Sequence, residues 1–139
     1  KIIVLICDVG FNYLNDPNLN FKVINTGVTE TSTILIAAAM ALDGWKPYVY
    51  SMINFVLFRP YEAVRNGIVC HKANVKLIGV KGSSGYKFLG FSHNLLEERE
   101  DTETCENLKL EWFVPQSNEE VEKVVKETYE KSAAVYIRL

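Results

Sequence analysis

Two side chains in this sequence have the types and positions expected of acid–base chemistry. Glu30 directly follows the turn NTGVT and precedes a run rich in Ala and Leu, and His93, one of two histidines, lies in the stretch GFSHN. Carboxylates and imidazoles are common proton donors and acceptors in enzymes. Each also has an ordinary explanation, because a first-turn Glu is favoured by the helix dipole and a loop histidine is commonly just exposed. Their roles therefore depend on the elements that position them.

Six apolar stretches predict the strands that would position these side chains. Continuous apolar runs of this kind are typical of strands covered on both faces. They are KIIVLIC (1–7), FKVIN (21–25), PYVYS (47–51), NVKLIGV (74–80), KLEWFV (109–114) and AAVYIRL (133–139).

Three stretches between the strands predict helices. The stretch 29–44 is rich in helix formers and ends at Gly44, a residue favoured just after a helix. The stretch 59–74 has Pro60 where a first-turn proline belongs. The stretch 117–131 has Ser117 and Glu120 in capping-box spacing. Because strands and helices alternate, we predict one three-layer α/β/α domain over residues 1–139, with a mainly parallel sheet of about six strands.

This architecture gives Glu30 a specific place. It follows the strand FKVIN through a Gly-containing turn and begins the next helix. Ligand sites of parallel α/β sheets collect at the carboxyl ends of the strands. The residues 81–107, which include His93, predict one long irregular segment, and such segments are commonly functional or mobile.

Composition excludes several classes of protein. The net charge of -2 and the absence of a Lys/Arg cluster interleaved with aromatic residues argue against nucleic-acid binding. No apolar run reaches the ~18 residues that a membrane span needs, and the first seven residues lack the layout of a signal peptide, so we expect a cytoplasmic protein. Cys7, Cys70 and Cys105 match neither a disulfide framework nor a zinc site, and we expect free buried thiols.

Four stretches, taken in chain order, resemble a known family. They are NTGVTE, IAAAMALDGWKPYVYSMINFVLFRPYEAVRN, NVKLIGVKGSSGYKFLGFSHN and NLKLEWFVP. In order and spacing they resemble the pyrimidine-binding domain of transketolase-like thiamine-diphosphate enzymes, above all the short, separately encoded transketolase subunits. The resemblance covers nearly the whole chain and implies the thiamine-diphosphate-binding fold of pyrimidine type.

The resemblance also implies roles for particular residues. Glu30 would hydrogen-bond a ring nitrogen of the cofactor's aminopyrimidine, and Phe55 would pack against that ring, with Phe58 as a second candidate if the register shifts. His93 would act near the substrate as a hydrogen-bond donor or proton relay. Arg59 and Glu62 are explained equally well by an ion pair at the surface.

The resemblance further implies a partner. In the family, a second domain that carries a Gly-Asp-Gly motif holds the diphosphate and its Mg²⁺, and this chain has no such motif. We therefore expect half of a thiamine-diphosphate site, completed by a diphosphate-binding transketolase-like subunit in a heterotetramer, or with self-dimerisation through this domain. The substrate would be a sugar phosphate or a related sugar.

Departures from the family pattern keep other functions open. Thr31 stands where relatives usually have Gln, and Asn94 stands where they have His or an aromatic residue. The chain could therefore be a transketolase-like transferase subunit that moves a ketol unit, or a non-catalytic regulatory or interaction subunit that keeps the fold and the partner surface. A stand-alone flavodoxin-like binding domain is a third interpretation, since fold does not fix function.

Overall fold

A single parallel sheet organises the chain. The computed structural model describes residues 1–10, 14, 16–82 and 84–139. The strands are β1 (Ile2–Ile6), β2 (Lys22–Asn25), β3 (Lys46–Met52), β4 (Lys76–Val80), β5 (Glu111–Phe113) and β6 (Val135–Arg138), in the order β2-β1-β3-β4-β6-β5. All pairings between them are parallel. All six predicted strands and the predicted sheet type are therefore confirmed.

Helices cover both faces of the sheet. They are α1 (Glu30–Leu42), α2 (Tyr61–Ala63), which continues as a wider π-type helix over Val64–Cys70, α3 (Glu100–Leu108) and α4 (Asn118–Glu130). A π-type turn spans Asn54–Phe58, and a kinked 3-10 segment spans Ser84–Ser92. The larger core joins α1, the π-type helix and α3 to one face of the sheet, while α4 covers the other face. The predicted α/β/α layers are confirmed.

Local chemistry fixes the ends of the predicted helices. Gly44 has a φ of +84° just after α1, a left-handed conformation that favours glycine. At the start of α4, the Ser117 hydroxyl accepts a hydrogen bond from the Glu120 backbone N–H at 3.2 Å. The Glu120 carboxylate reaches back to the N–H of Gln116, at 2.7 Å. The predicted cap is confirmed, with its return bond one residue earlier than in the usual capping box.

The prediction of one irregular segment over residues 81–107 is wrong. Its second part forms the helix α3, which buries Asp101, Thr102, Cys105 and Leu108 on one face. These positions have helical spacing, but two of the four residues are polar, so the face lacks the apolar periodicity that marks a helix in sequence. Polar burial concealed this element.

Two expectations about whole-chain properties can be compared with the structure. Cys7 and Cys105 are free and buried, as expected, whereas Cys70 is exposed, because it ends the π-type helix on its outer side. Among the described residues, the helices are too short or too polar to cross a membrane.

Candidate functional site

A cavity of about 280 Å³ lies where β1, β2 and β3 end. Its walls come from the turns after these strands, from the first turn of α1, from the π-type turn and from the 3-10 segment with the residue that follows it. Parallel sheets commonly form ligand sites at this edge. The lining residues are Cys7, Asp8, Val9, Val28, Glu30, Met52, Phe55, Arg59, Tyr86 and His93. The cavity therefore brings together three of the four side chains predicted from the sequence: Glu30, Phe55 and His93.

The turns that lead into the cavity are fixed by the side chain of Asn25. Its Oδ1 accepts hydrogen bonds from the backbone N–H groups of Asp8, at 3.1 Å, and Gly27, at 2.9 Å, and so joins the ends of β1 and β2. Gly27 has a φ of +69°, which suits a residue without a Cβ. Thr26 donates to the carbonyl of Ile6 at 3.1 Å. This arrangement directs the chain into α1 with Glu30 at its first position.

Glu30 is the buried carboxylate of the cavity. Its side chain is 5% exposed, and its Oε1 accepts a hydrogen bond from Nη1 of Arg59 at 2.7 Å. The arginine itself is 45% exposed. The surface pairing considered for Arg59 and Glu62 does not form, because Glu62 accepts from the amide of Asn66 at 3.0 Å.

Of the two predicted aromatic candidates, Phe55 lines the cavity. Its ring centroid lies 4.1 Å from Cζ of Arg59 and 4.9 Å from the His93 ring centroid, with the two rings perpendicular. Phe58 has a different environment, since it packs against the larger core and is not among the described residues that line the cavity. The predicted wall for a flat ligand is thus provided by Phe55.

His93 faces the cavity from the opposite side. Its ring stacks on that of Tyr86, with centroids 6.0 Å apart and an interplanar angle of 4°. Nδ1 lies 2.8 Å from the Ser92 hydroxyl. The ring is therefore held between two aromatic side chains, Phe55 and Tyr86, with one nitrogen engaged by a neighbour.

The backbone around His93 is held by three contacts. The amide of Asn54 donates to the carbonyls of Phe91, at 3.1 Å, and Asn94, at 3.3 Å, which ties this segment to the π-type turn that carries Phe55. Asn94 in turn donates to the carbonyl of Gly90 at 2.7 Å. A Cβ on Gly82 would overlap the His93 carbonyl oxygen, so this approach requires glycine.

Cys7 contributes a thiol to the cavity wall. Burial raises the pKa of this thiol above its ordinary value, although hydrogen bonds with Thr26 and Thr33 oppose the shift. A thiol with a raised pKa is a poor nucleophile at neutral pH. We therefore regard Cys7 as part of the wall.

The donor set of the cavity suits a flat heterocycle with a polar edge. It offers one buried carboxylate, an aromatic ring and apolar side chains, and pockets for such ligands have this composition. Mg²⁺ with a diphosphate needs several oxygen ligands, and no cluster of three or more potential metal ligands occurs among the described residues. The cavity thus fits the aminopyrimidine half of thiamine diphosphate and lacks a site for its metal.

Sequence reasoning missed three residues that shape the site. Arg59 pairs with a residue 29 positions away, and no local pattern indicates that contact. Gly82 has an open-looking position in a Gly-rich stretch. Asn25 was visible as the first residue of the NTG turn, and the known tendency of Asn to hydrogen-bond backbone near turns is a signal that could have identified its role.

Comparison with known families gives an independent result. The family model described as "Transketolase, pyrimidine binding domain" matches residues 10–139. This match includes the whole cavity apart from Cys7, Asp8 and Val9.

Individual relatives agree with this family. An apulose-4-phosphate transketolase subunit of Actinobacillus succinogenes is 26% identical over 118 residues, which are 85% of this chain and 37% of that protein. Its namesake in Phocaeicola vulgatus is 27% identical over 116 residues, 84% of this chain and 36% of that protein. A solved structure described as a split-gene transketolase, an inactive beta4 tetramer, superposes with a TM-score of 0.81 at 27% identity, covering 100% of this chain and 44% of that one. The chain thus spans less than half the length of these relatives.

Proposed function

This chain belongs to the transketolase pyrimidine-binding domain family, and on that premise we propose that it is the pyrimidine-binding part of a two-chain, thiamine-diphosphate-dependent enzyme. The reaction we propose is transfer of a ketol unit between sugar or sugar-phosphate substrates. The observation that carries the proposal is the buried carboxylate of Glu30 in a cavity with Phe55 and His93. In this proposal residues 1–139 act as one pyrimidine-binding domain.

Glu30 has the central role. Thiamine diphosphate, when bound, supplies a carbon nucleophile that attacks carbonyl groups. The carboxylate of Glu30 would share a proton with a ring nitrogen of the aminopyrimidine, which activates the adjacent amino group as a base. Burial of this carboxylate supports the role, because an interaction in a site that excludes water is stronger than the same interaction in water.

Phe55 and His93 would act on either side of this step. Phe55 provides an aromatic surface for the aminopyrimidine, and stacking of this kind is worth about 1 kcal/mol. His93 would donate a hydrogen bond or relay a proton to substrate oxygens, since an imidazole can do both near neutral pH. Its fixed position between Phe55 and Tyr86 supports a role that requires orientation.

A partner would supply the other half of the cofactor site. We propose a diphosphate-binding subunit with a Gly-Asp-Gly motif that holds the diphosphate and Mg²⁺. The relatives named as transketolase subunits, and the neighbour described as an inactive beta4 tetramer, support a chain that is inactive without its partner.

Two exposed apolar surfaces support assembly into a heterotetramer or a self-dimer. The first is the outer side of α1, where Leu35, Ile36 and Leu42 are exposed. The second is the segment Ser84–Ser92, where Phe88 is 81% and Phe91 is 75% exposed. Large apolar patches on a protein surface commonly mark interfaces.

The test is to isolate the chain gently from its native lysate with thiamine diphosphate and Mg²⁺ and to analyse it by native mass spectrometry. We expect a second chain that carries Gly-Asp-Gly, and cofactor retained only in the complex. Glu30→Ala should lose the cofactor, whereas Glu62→Ala, on the exposed side of α2, should retain it.

Two results would contradict the proposal in different ways. A complex that forms equally well but never holds cofactor would show a non-catalytic interaction subunit. A chain recovered alone, without cofactor at millimolar concentration, would indicate a separate binding domain that shares only the fold.

A further inference from the structure

Arg59 makes both contacts that the proposed function assigns to the aminopyrimidine. Its guanidinium pairs with Glu30 at 2.7 Å and lies over the ring of Phe55, with Cζ 4.1 Å from the centroid. A guanidinium is a planar cation that can hydrogen-bond a carboxylate and stack on an aromatic ring at the same time. It therefore resembles, in shape and bonding, one edge of an aminopyrimidine.

We propose that Arg59 is a place-holder that occupies the Glu30 and Phe55 positions in the free chain and leaves them when the heterocycle binds. The inference rests on the proposed function, because it takes the aminopyrimidine as the ligand of Glu30. The carboxylate is buried and accepts its side-chain hydrogen bond from Arg59, so a donor that replaces the guanidinium must take over this bond. Without such a donor, the buried carboxylate would be left unpaired at considerable cost.

The two partners differ in burial, which determines which of them moves. Glu30 begins α1 and is 5% exposed, whereas Arg59 is 45% exposed and can reach water by rotating its own side chain. The released guanidinium stays hydrated, so its departure costs little beyond the lost ion pair and the lost ring contact. Arg59 thus keeps the buried carboxylate paired before the ligand arrives and competes with that ligand.

Competition makes a prediction that a supporting role for Arg59 would not make. If Arg59 helped to hold the heterocycle, its removal would weaken binding. If it is a place-holder, its removal strengthens binding, by about tenfold when the ion pair and the ring contact together are worth 1–2 kcal/mol.

The probe is the isolated pyrimidine half of the cofactor, 4-amino-5-hydroxymethyl-2-methylpyrimidine, titrated into the full chain and followed by NMR. Arg59→Met should bind it about tenfold more tightly than the unmodified chain, and Arg59→Lys, which keeps the charge without the planar group, should be intermediate. Arg65→Met is the matched control, since Arg65 lies outside the cavity and bonds to Asn66 at 2.9 Å. Its affinity should equal that of the unmodified chain.

A second measurement needs no variant. The side-chain Nε–H signal of Arg59 in the unmodified chain should move to the position of a free arginine when the probe saturates the cavity. Unchanged or weaker binding by Arg59→Met, or an Arg59 signal that stays in place at saturation, would overturn the inference and leave the proposed function standing. Absence of binding by every chain would overturn both, because the cavity would then not accept this heterocycle.

Discussion

The backbone of Gly82 lies so close to that of His93 that a single added Cβ would overlap the His93 carbonyl oxygen. Gly82 follows β4 by two residues, so this contact transmits the position of a central strand to the segment that carries the histidine. The location of His93 in the cavity therefore depends on a residue with no side chain.

Substitution of Gly82 by Ala should displace His93. We expect Gly82→Ala to lower the free energy of unfolding by about 1–3 kcal/mol, because backbone rather than a flexible side chain would have to move. Denaturant unfolding measures the loss, and NMR signals of the His93 ring report the displacement. Gly85→Ala is the control, since its Cβ would meet no described atom within 4 Å and should change stability by less than about 0.5 kcal/mol. Equal effects of the two variants would contradict the account.

A buried network anchors α3, and its loss should be costly. Asp101 is fully buried and accepts hydrogen bonds from the hydroxyl of Tyr136, at 2.7 Å, and from Nη1 of Arg138, at 3.0 Å. Burial, followed by the charge of this carboxylate, holds the pKa of Tyr136 well above its usual range. Because Arg138 is also nearly buried, Asp101→Asn would leave a cation without its buried partner, at a cost of about 3–5 kcal/mol.

Chemical denaturation of Asp101→Asn checks this prediction against a surface variant of the same helix. Glu106→Gln removes only the exposed pair with Arg99, which should be worth about 1 kcal/mol or less. If both variants lost the same small amount, the network would not anchor α3.

The buried amine of Lys76 should give stability a distinct dependence on pH. Its Nζ donates to Oδ1 of Asn74 and to the carbonyls of Lys131 and Ala133. Burial, followed by the charge of Lys46, nonetheless lowers its pKa from 10.5 to about 8. Between these two values the unfolded chain binds more protons than the folded chain, so stability rises with pH by up to about 1.4 kcal/mol per unit.

The quantity to measure is the difference in unfolding free energy between the unmodified chain and Lys76→Met from pH 7 to 10. This difference removes the opposite effect of Cys7 and Cys105, whose raised thiol pKa values lower stability at alkaline pH in both chains. It should grow in favour of the unmodified chain above pH 8. A difference that stays flat, like that expected for the exposed Lys126→Met, would contradict the prediction.

The sheet and the main helices were predictable because their signals are local. Apolar runs marked every strand, Gly44 marked the end of α1, and Ser117 marked the start of α4. Glu30 was predictable as a site residue for a related reason, since its place after a strand follows from the order of elements. The same order could not reveal α3, whose buried face contains Asp101 and Thr102.

Contacts between distant residues were not predictable. The pairing of Arg59 with Glu30 depends on how the π-type turn packs beside α1, and the need for Gly82 depends on how closely the chain returns at His93. Both are tertiary relationships that override local preference. The sequence alone therefore predicted which groups are present in the cavity, while the structure was needed to show what holds them.

The most direct test of the central claim is the rate at which the C2 proton of bound thiamine diphosphate exchanges with D₂O in the complex with the diphosphate-binding partner. This measurement needs no knowledge of the sugar substrate. With Glu30→Gln we expect exchange to slow by about 100-fold or more, since acid–base groups contribute 10²–10⁴. Glu62→Gln should leave the rate unchanged. Equal rates for the unmodified and Glu30→Gln complexes, both with cofactor bound, would contradict the assignment of Glu30 as the residue that activates the cofactor.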